Sequence, residues 1–153
     1  MSAVAEPTSP PATMPRQRSK PLLPVRGVCS LVDKNEDQVL ELIDNGSLAW
    51  AFDVSCDRKR RELRILPAAV ASYLHGRACE LKWPDVLGLM LPDATTILAS
   101  EITRILNISG DHTYHLIDRK HIVGCPTRRR GPGGSARVPT RSFTTFLQQR
   151  RYT

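Results

Sequence analysis

Ile97 to Val123 read ILASEITRILNISGDHTYHLIDRKHIV, and this stretch decides the fold. Ile97, Leu98, Ile102, Ile105 and Leu106 recur at helical spacing. The run Asn107-Ile108-Ser109-Gly110 interrupts them with turn residues, and Ser109 is a good N-cap for a second helix. Thr113, Leu116 and Ile117 give that second helix its apolar side, and Ile122 and Val123 open a strand. Two short helices joined by a tight turn are therefore expected, followed by a β element.

Outward from this stretch, Pro126 to Gly134 is an Arg-Gly-Pro loop. Arg137 and Val138 form a return strand, and Pro139-Thr140 open a last helix bearing Phe143, Phe146 and Leu147. A similar pattern lies upstream. Asp33 or Asn35 caps a helix with Val39, Leu40, Leu42 and Ile43 on its apolar face, and Asn45-Gly46 ends it. Leu48, Trp50 and Phe52 alternate with Ala49, Ala51 and Asp53, as in a strand with one apolar face. A charged hairpin, Asp57 to Arg61, leads to a strand with Leu63 and Ile65, then to a helix begun by Pro67 and carrying Val70, Tyr73 and Leu74.

The two stretches match in order. Leu42-Ile43-Asp44 aligns with Leu116-Ile117-Asp118, and Leu48 with Ile122, at one offset. After a single-residue gap, Arg64-Ile65 aligns with Arg137-Val138, and Val70, Tyr73 and Leu74 with Phe143, Phe146 and Leu147. Each copy has a basic hairpin between its strands. This implies a duplicated unit. The N-terminal copy shows no clear first helix before Asp33.

The segment Glu101 to Ser109, continued by Tyr114-His115-Leu116-Ile117, resembles the helix-turn-helix of the excisionase and MerR-like winged-helix families. The later strand, arginine loop and Phe-x-x-Phe-Leu helix also fit, so the resemblance covers about residues 97–150 and is weaker over 33–75. It implies an α+β fold of two small winged-helix units after a disordered N-terminal tail. It also implies binding to double-stranded DNA, by an excisionase-like architectural factor in recombination or by a transcription regulator. The expected organisation is a Pro-rich basic tail (1–25), a degenerate winged unit for interaction or dimerisation (26–76), an apolar connecting segment with a short helix between Pro84 and Pro92 (77–96), and a DNA-binding winged unit (97–153).

The chemistry of the residues agrees with this reading. The chain has 153 residues and a formal net charge of +7, which favours an anionic partner. A tight turn leaves the N-terminal face of the second helix free for a major groove. Ser109, His112, Thr113, Tyr114, His115 and Arg119 are the expected contacts there. Arg128, Arg129, Arg130 and Arg137 would grip phosphates or enter a minor groove. Arg58, Lys59, Arg60 and Arg61 of the first hairpin would add phosphate contacts. The family usually places Arg or Lys on the recognition helix, whereas this chain has Gly110, Asp111, His115 and Asp118. Asp111 repels phosphate but can accept from a cytosine amine. The first copy's helix carries Glu36, Asp37, Glu41 and Asp44, which suits a second protomer or a partner protein better than DNA.

Other classes are less well served. Cys29, Cys56, Cys79 and Cys125 show no C-x-x-C spacing, so free thiols in a reducing cytoplasm are expected. His112, His115, His121 and Cys125 match no common zinc spacing, and neither metal nor cofactor is expected. No Gly-rich phosphate loop, nucleophile elbow or carboxylate pair suggests an enzyme. No membrane segment or signal peptide is expected. The competing reading is a protein-interaction adapter that kept the winged scaffold without DNA binding.

Overall fold

The computed structural model describes residues 20–57, 60–123 and 136–152. Among them the chain is mixed α+β, with seven helices and two small antiparallel sheets. The first half runs β1 (Leu23–Pro24), α1 (Val25–Val32), α2 (Glu36–Asp44), β2 (Ala51–Asp53), β3 (Leu63–Ile65) and α3 (Pro67–Leu74). Then come α4 (Trp83–Met90), β4 (Thr96–Leu98), α5 (Ala99–Leu106), α6 (Gly110–Asp118), β5 (Arg137–Pro139) and α7 (Thr140–Arg150).

Several expectations are corrected. A first helix does precede Asp33: α1 was hidden because Pro24 offers it no side-chain cap and it holds Gly27 and three valines. Packing of the buried Val28 holds it instead. Part of the segment expected to be a tail is built into the fold, since Leu22 is fully buried and Leu23–Pro24 pair with β3. Ile97 and Leu98 belong to β4, and α5 starts only at Ala99. The strand expected over residues 48–53 is shorter, Ala51–Asp53, because Trp50 sits in the left-handed region (φ 61). Ile122 and Val123 form no strand among the described residues, although Ile122 is buried. The short helix after Lys82 is where its flanking prolines place it.

The two halves share local geometry. Helices α1 and α5 each have eight residues, and α2 and α6 each have nine. Asp33 and Asn107 end the first helix of each pair in the left-handed conformation, at φ 56 in both. Short polar side chains tolerate that region best. Asn35 caps α2 and Ser109 caps α6. Gly46 and Lys120 follow these helices with positive φ. Leu23 pairs with Ile65 and Pro24 with Arg64; Ile97 pairs with Val138 and Leu98 with Arg137, in the same register.

Alternation along the strands divides the core. Ala51, Leu63 and Ile65 face the first half's own core, with Val28, Val39, Ile43, Leu48 and Val70. Trp50, Phe52 and Val54 face the other way, into a cluster shared with α4, Ile102, Ile105, Leu116, Phe143 and Leu147. Strand β2 thus has two buried faces where one was expected. Trp83 of α4 stacks on Trp50 with ring centroids 5.8 Å apart, fastening the connecting helix to the seam.

Candidate nucleic-acid interface

The α5–turn–α6 segment is held by its own polar groups. Ser109 Oγ accepts from the His112 amide at 3.1 Å, satisfying one of the orphan donors at the start of α6. The Thr103 and Thr113 hydroxyls lie 2.6 Å apart between the two helices. Thr103 Oγ1 is also 3.0 Å from the Ala99 carbonyl. Thr113 is fully buried, so it locks the two helices together and has no surface to offer a duplex. That corrects its expected role. Its β-branched shape and its place on the apolar side of α6 were the available sequence signal.

His112 is corrected too. Its Nε2 donates to the Val54 carbonyl at 2.7 Å, and its Nδ1 lies 3.7 Å from Glu62 Oε2. A carbonyl only accepts, so Nε2 carries the proton. The side chain is 17% exposed and joins α6 to the first half's hairpin. Spacing along one helix could not reveal this contact, because the partner lies 58 residues away.

Of the other expected contacts on α6, Ser109, His115 and Arg119 are exposed. Tyr114 is half-buried and its hydroxyl accepts from the Ala136 amide at 3.3 Å, next to β5. Gly110 and Asp111 are exposed at the start of the helix. Arg58, Lys59, Arg128, Arg129 and Arg130 lie outside the described residues.

The base of the first hairpin is tightly set. Asp53 Oδ1 accepts from the Ser55 and Glu62 amides at 3.0 and 3.2 Å. Arg60 and Arg61 are exposed at its described end, and Arg61 donates to the Tyr152 hydroxyl while lying over that ring. Tyr152 in turn donates to Asp44 Oδ1 at 2.9 Å. Arg150 donates to the Ser55 carbonyl at 2.9 Å, and Arg151 lies 3.9 Å from the Trp50 ring centroid. Cys56 marks the meeting point. Burial pushes its thiol above the usual value, Glu62 adds to the rise, and Arg119 and Arg150 pull it down. The hairpin, the C-terminal end of α6 and the C-terminal end of α7 therefore converge on one surface. Arg150 and Arg151 belong to this neighbourhood, and neither was among the expected contacts.

Two arginines in equivalent strand positions differ. Arg64 of β3 points into the seam, where Nε and Nη2 each donate to the Asn107 carbonyl at 3.2 Å. Burial pulls its guanidinium below the usual arginine value, and Glu62, 3.8 Å away, opposes that shift. Arg137 of β5 is exposed and donates to Thr96 Oγ1 at 3.5 Å. It belongs to the second sheet, apart from the hairpin arginines.

Cys29, Cys56 and Cys79 form no disulfide. Among the described residues no cluster of three His, Cys, Asp or Glu side chains is placed to hold a metal ion. No described helix is long and apolar enough to cross a membrane. A groove of about 1090 Å³ is lined mainly by residues of α3, α4 and α5, with none from α6. No protein-family model matches the chain, and no curated protein and no solved structure matches it.

Proposed function

We propose that this protein binds double-stranded DNA without catalysing a reaction, as an excisionase-like architectural factor or a transcription regulator in the cytoplasm. In this reading each half is a small winged-helix unit, and the second carries the DNA reader. The N-terminus of α6 approaches the duplex, where its unpaired amides attract phosphate. Ser109, His115 and Arg119 make contacts along it. Arg128, Arg129 and Arg130, which precede β5 in the sequence, anchor the backbone. The observation that carries the reading is the His112–Val54 contact, because it sets the first half's basic hairpin beside α6. Arg119 and Arg150 both act on the Cys56 thiol at the base of that hairpin, whose described end carries the exposed Arg60 and Arg61.

The test is a binding titration on random-sequence duplex at several salt concentrations. Counterion release gives a slope of log affinity on log salt of about −0.9 per phosphate contact. Changing Arg60 and Arg119 to Ala together is expected to flatten the slope by about two contacts. Changing Arg128, Arg129 and Arg130 to Ala is expected to remove most binding. No binding by the wild type at low salt sinks the proposal. An unchanged slope in the Arg60/Arg119 variant removes the hairpin from it.

The adapter reading is favoured by one feature, the exposed acidic first turn of α2 with Glu36 and Asp37. Binding to a protein partner through residues 26–76, with no salt-dependent DNA binding, would select it.

A further inference from the structure

We propose that the protein assembles head to tail, with the second half of one copy docking on the first half of the next. The interface would reuse the contact that already joins the two halves within one chain.

The internal seam brings together two different faces. The first half contributes Leu22, Arg64 and the hairpin; the second contributes Ile105, Asn107 and the start of α6. Leu22 donates its amide to the Ile105 carbonyl at 2.9 Å, and Asn107 Nδ2 donates to the Leu22 carbonyl at 3.1 Å. Arg64 closes the contact on the Asn107 carbonyl. A contact between unlike faces of like units is heterologous, so it leaves one face of each type uncovered at the two ends.

Both uncovered faces are present. In the first half the counterparts of Ile105, Leu147 and Asn107 are Leu31, Leu74 and Asp33. Ile105 and Leu147 are 1% and 0% exposed, whereas Leu31 and Leu74 are 53% and 51% exposed. Leu31 and Leu74 line an open, mostly apolar groove of about 490 Å³ with Val70. Asp33 is exposed and left-handed like Asn107, so its carbonyl is presented in the same way. In the second half the counterpart of Arg64 is Arg137, in the same strand register and exposed. Val123, the counterpart of Ala49, is 64% exposed, while Ala49 packs against the shared core.

The occupant follows from charge and shape. A second copy brings Arg137 to the Asp33 carbonyl, as Arg64 meets that of Asn107. Asp33 carries a carboxylate where Asn107 has a neutral amide, so at this position a charge opposite to Arg137 replaces the Asn107 Nδ2 donation. Within one chain the connecting segment and α4 hold the halves at high local concentration. Between copies that tether is absent, so association depends on protein concentration.

The experiment is sedimentation velocity on the full chain without nucleic acid, so failure of DNA binding does not affect it. Wild-type weight-average mass is expected to rise with concentration. Asp33→Arg alone sets arginine against arginine, and Arg137→Asp alone sets aspartate against aspartate. Each is expected to weaken association about tenfold or more. An equimolar mixture restores it, because both junctions are then complementary. Leu31→Ser, which touches no left-handed backbone, is expected to weaken association with the monomer's melting unchanged. The proposal is overturned by a wild-type monomer up to about 1 mM. Single variants or Leu31→Ser that associate like wild type, or a mixture no better than its components, overturn it as well.

Discussion

Arg64 and Arg137 occupy the same place in their two halves, yet the structure gives them opposite energetic weights. Arg64→Ala removes a guanidinium that is 15% exposed; its Nη1 donates to the Leu63 carbonyl of its own strand at 3.1 Å, and its Nε and Nη2 make two N–H donations across the seam to one carbonyl. Because both converge on the Asn107 oxygen, they count as one charge-assisted interaction, worth about 1.5–3 kcal/mol. Lost packing of the aliphatic stem adds about 1 kcal/mol. Relief of the guanidinium's desolvation takes part of this back. The expected net loss is about 2–3 kcal/mol. With an m-value of about 2 kcal/mol/M, the urea midpoint falls by about 1–1.5 M. Arg137→Ala, at an exposed position, should change stability by less than about 0.5 kcal/mol. Unfolding should be followed by both tryptophan fluorescence and far-ultraviolet circular dichroism in dilute solution. Trp50 and Trp83 stack at the seam, so fluorescence reports its opening directly. An Arg64→Ala loss below about 0.5 kcal/mol, or one equal to that of Arg137→Ala, would refute the view that this arginine fastens the halves.

Other outcomes follow from single contacts. His112→Ala leaves the Val54 carbonyl without its 2.7 Å donor and should cost about 1–2 kcal/mol in thermal melts. A variant as stable as wild type would show that the ring is not a structural tie. Lys120 has φ 61 where the first half has Gly46 at φ 83. Lys120→Gly should therefore stabilise by up to about 1 kcal/mol, and Gly46→Ala should destabilise by about the same, a sign pattern that chemical denaturation can reverse or uphold. Cys56 should react with a disulfide reagent near neutral pH more slowly than a small-molecule thiol, since burial raises its value. By linkage, a thiol raised on folding supports stability fully below the unfolded value of 9.0 and loses that support as pH climbs past it. Cys56→Ser should flatten this alkaline decline.

Much of the local architecture was legible along the chain. Ser109 and Asn35 announce helix starts because their side chains reach an amide three residues on. Pro67, Pro84 and Thr140 mark other helix openings, and Gly46 marks a left-handed turn. The matched order of apolar residues anticipated the helix lengths, the left-handed helix ends and the strand register that the two halves share. Helix α1 was not legible, because its stability comes from burial of Val28 and not from caps or propensity.

Of the candidate site, the sequence by itself determined the capped turn before α6, the basic hairpin and the net positive charge, all local or summed properties. Only the tertiary structure decided which side chains are available to a partner. Thr113 and His112 sit at adjacent positions on α6, yet one is sealed against Thr103 and the other is held by Val54 across the seam. Arg64 and Arg137 read alike in sequence, and only the presence of a neighbouring half makes one half-buried and the other exposed. The physical reason is the same throughout. Periodicity fixes which face of an element is apolar, whereas exposure depends on what the rest of the chain lays against the opposite face.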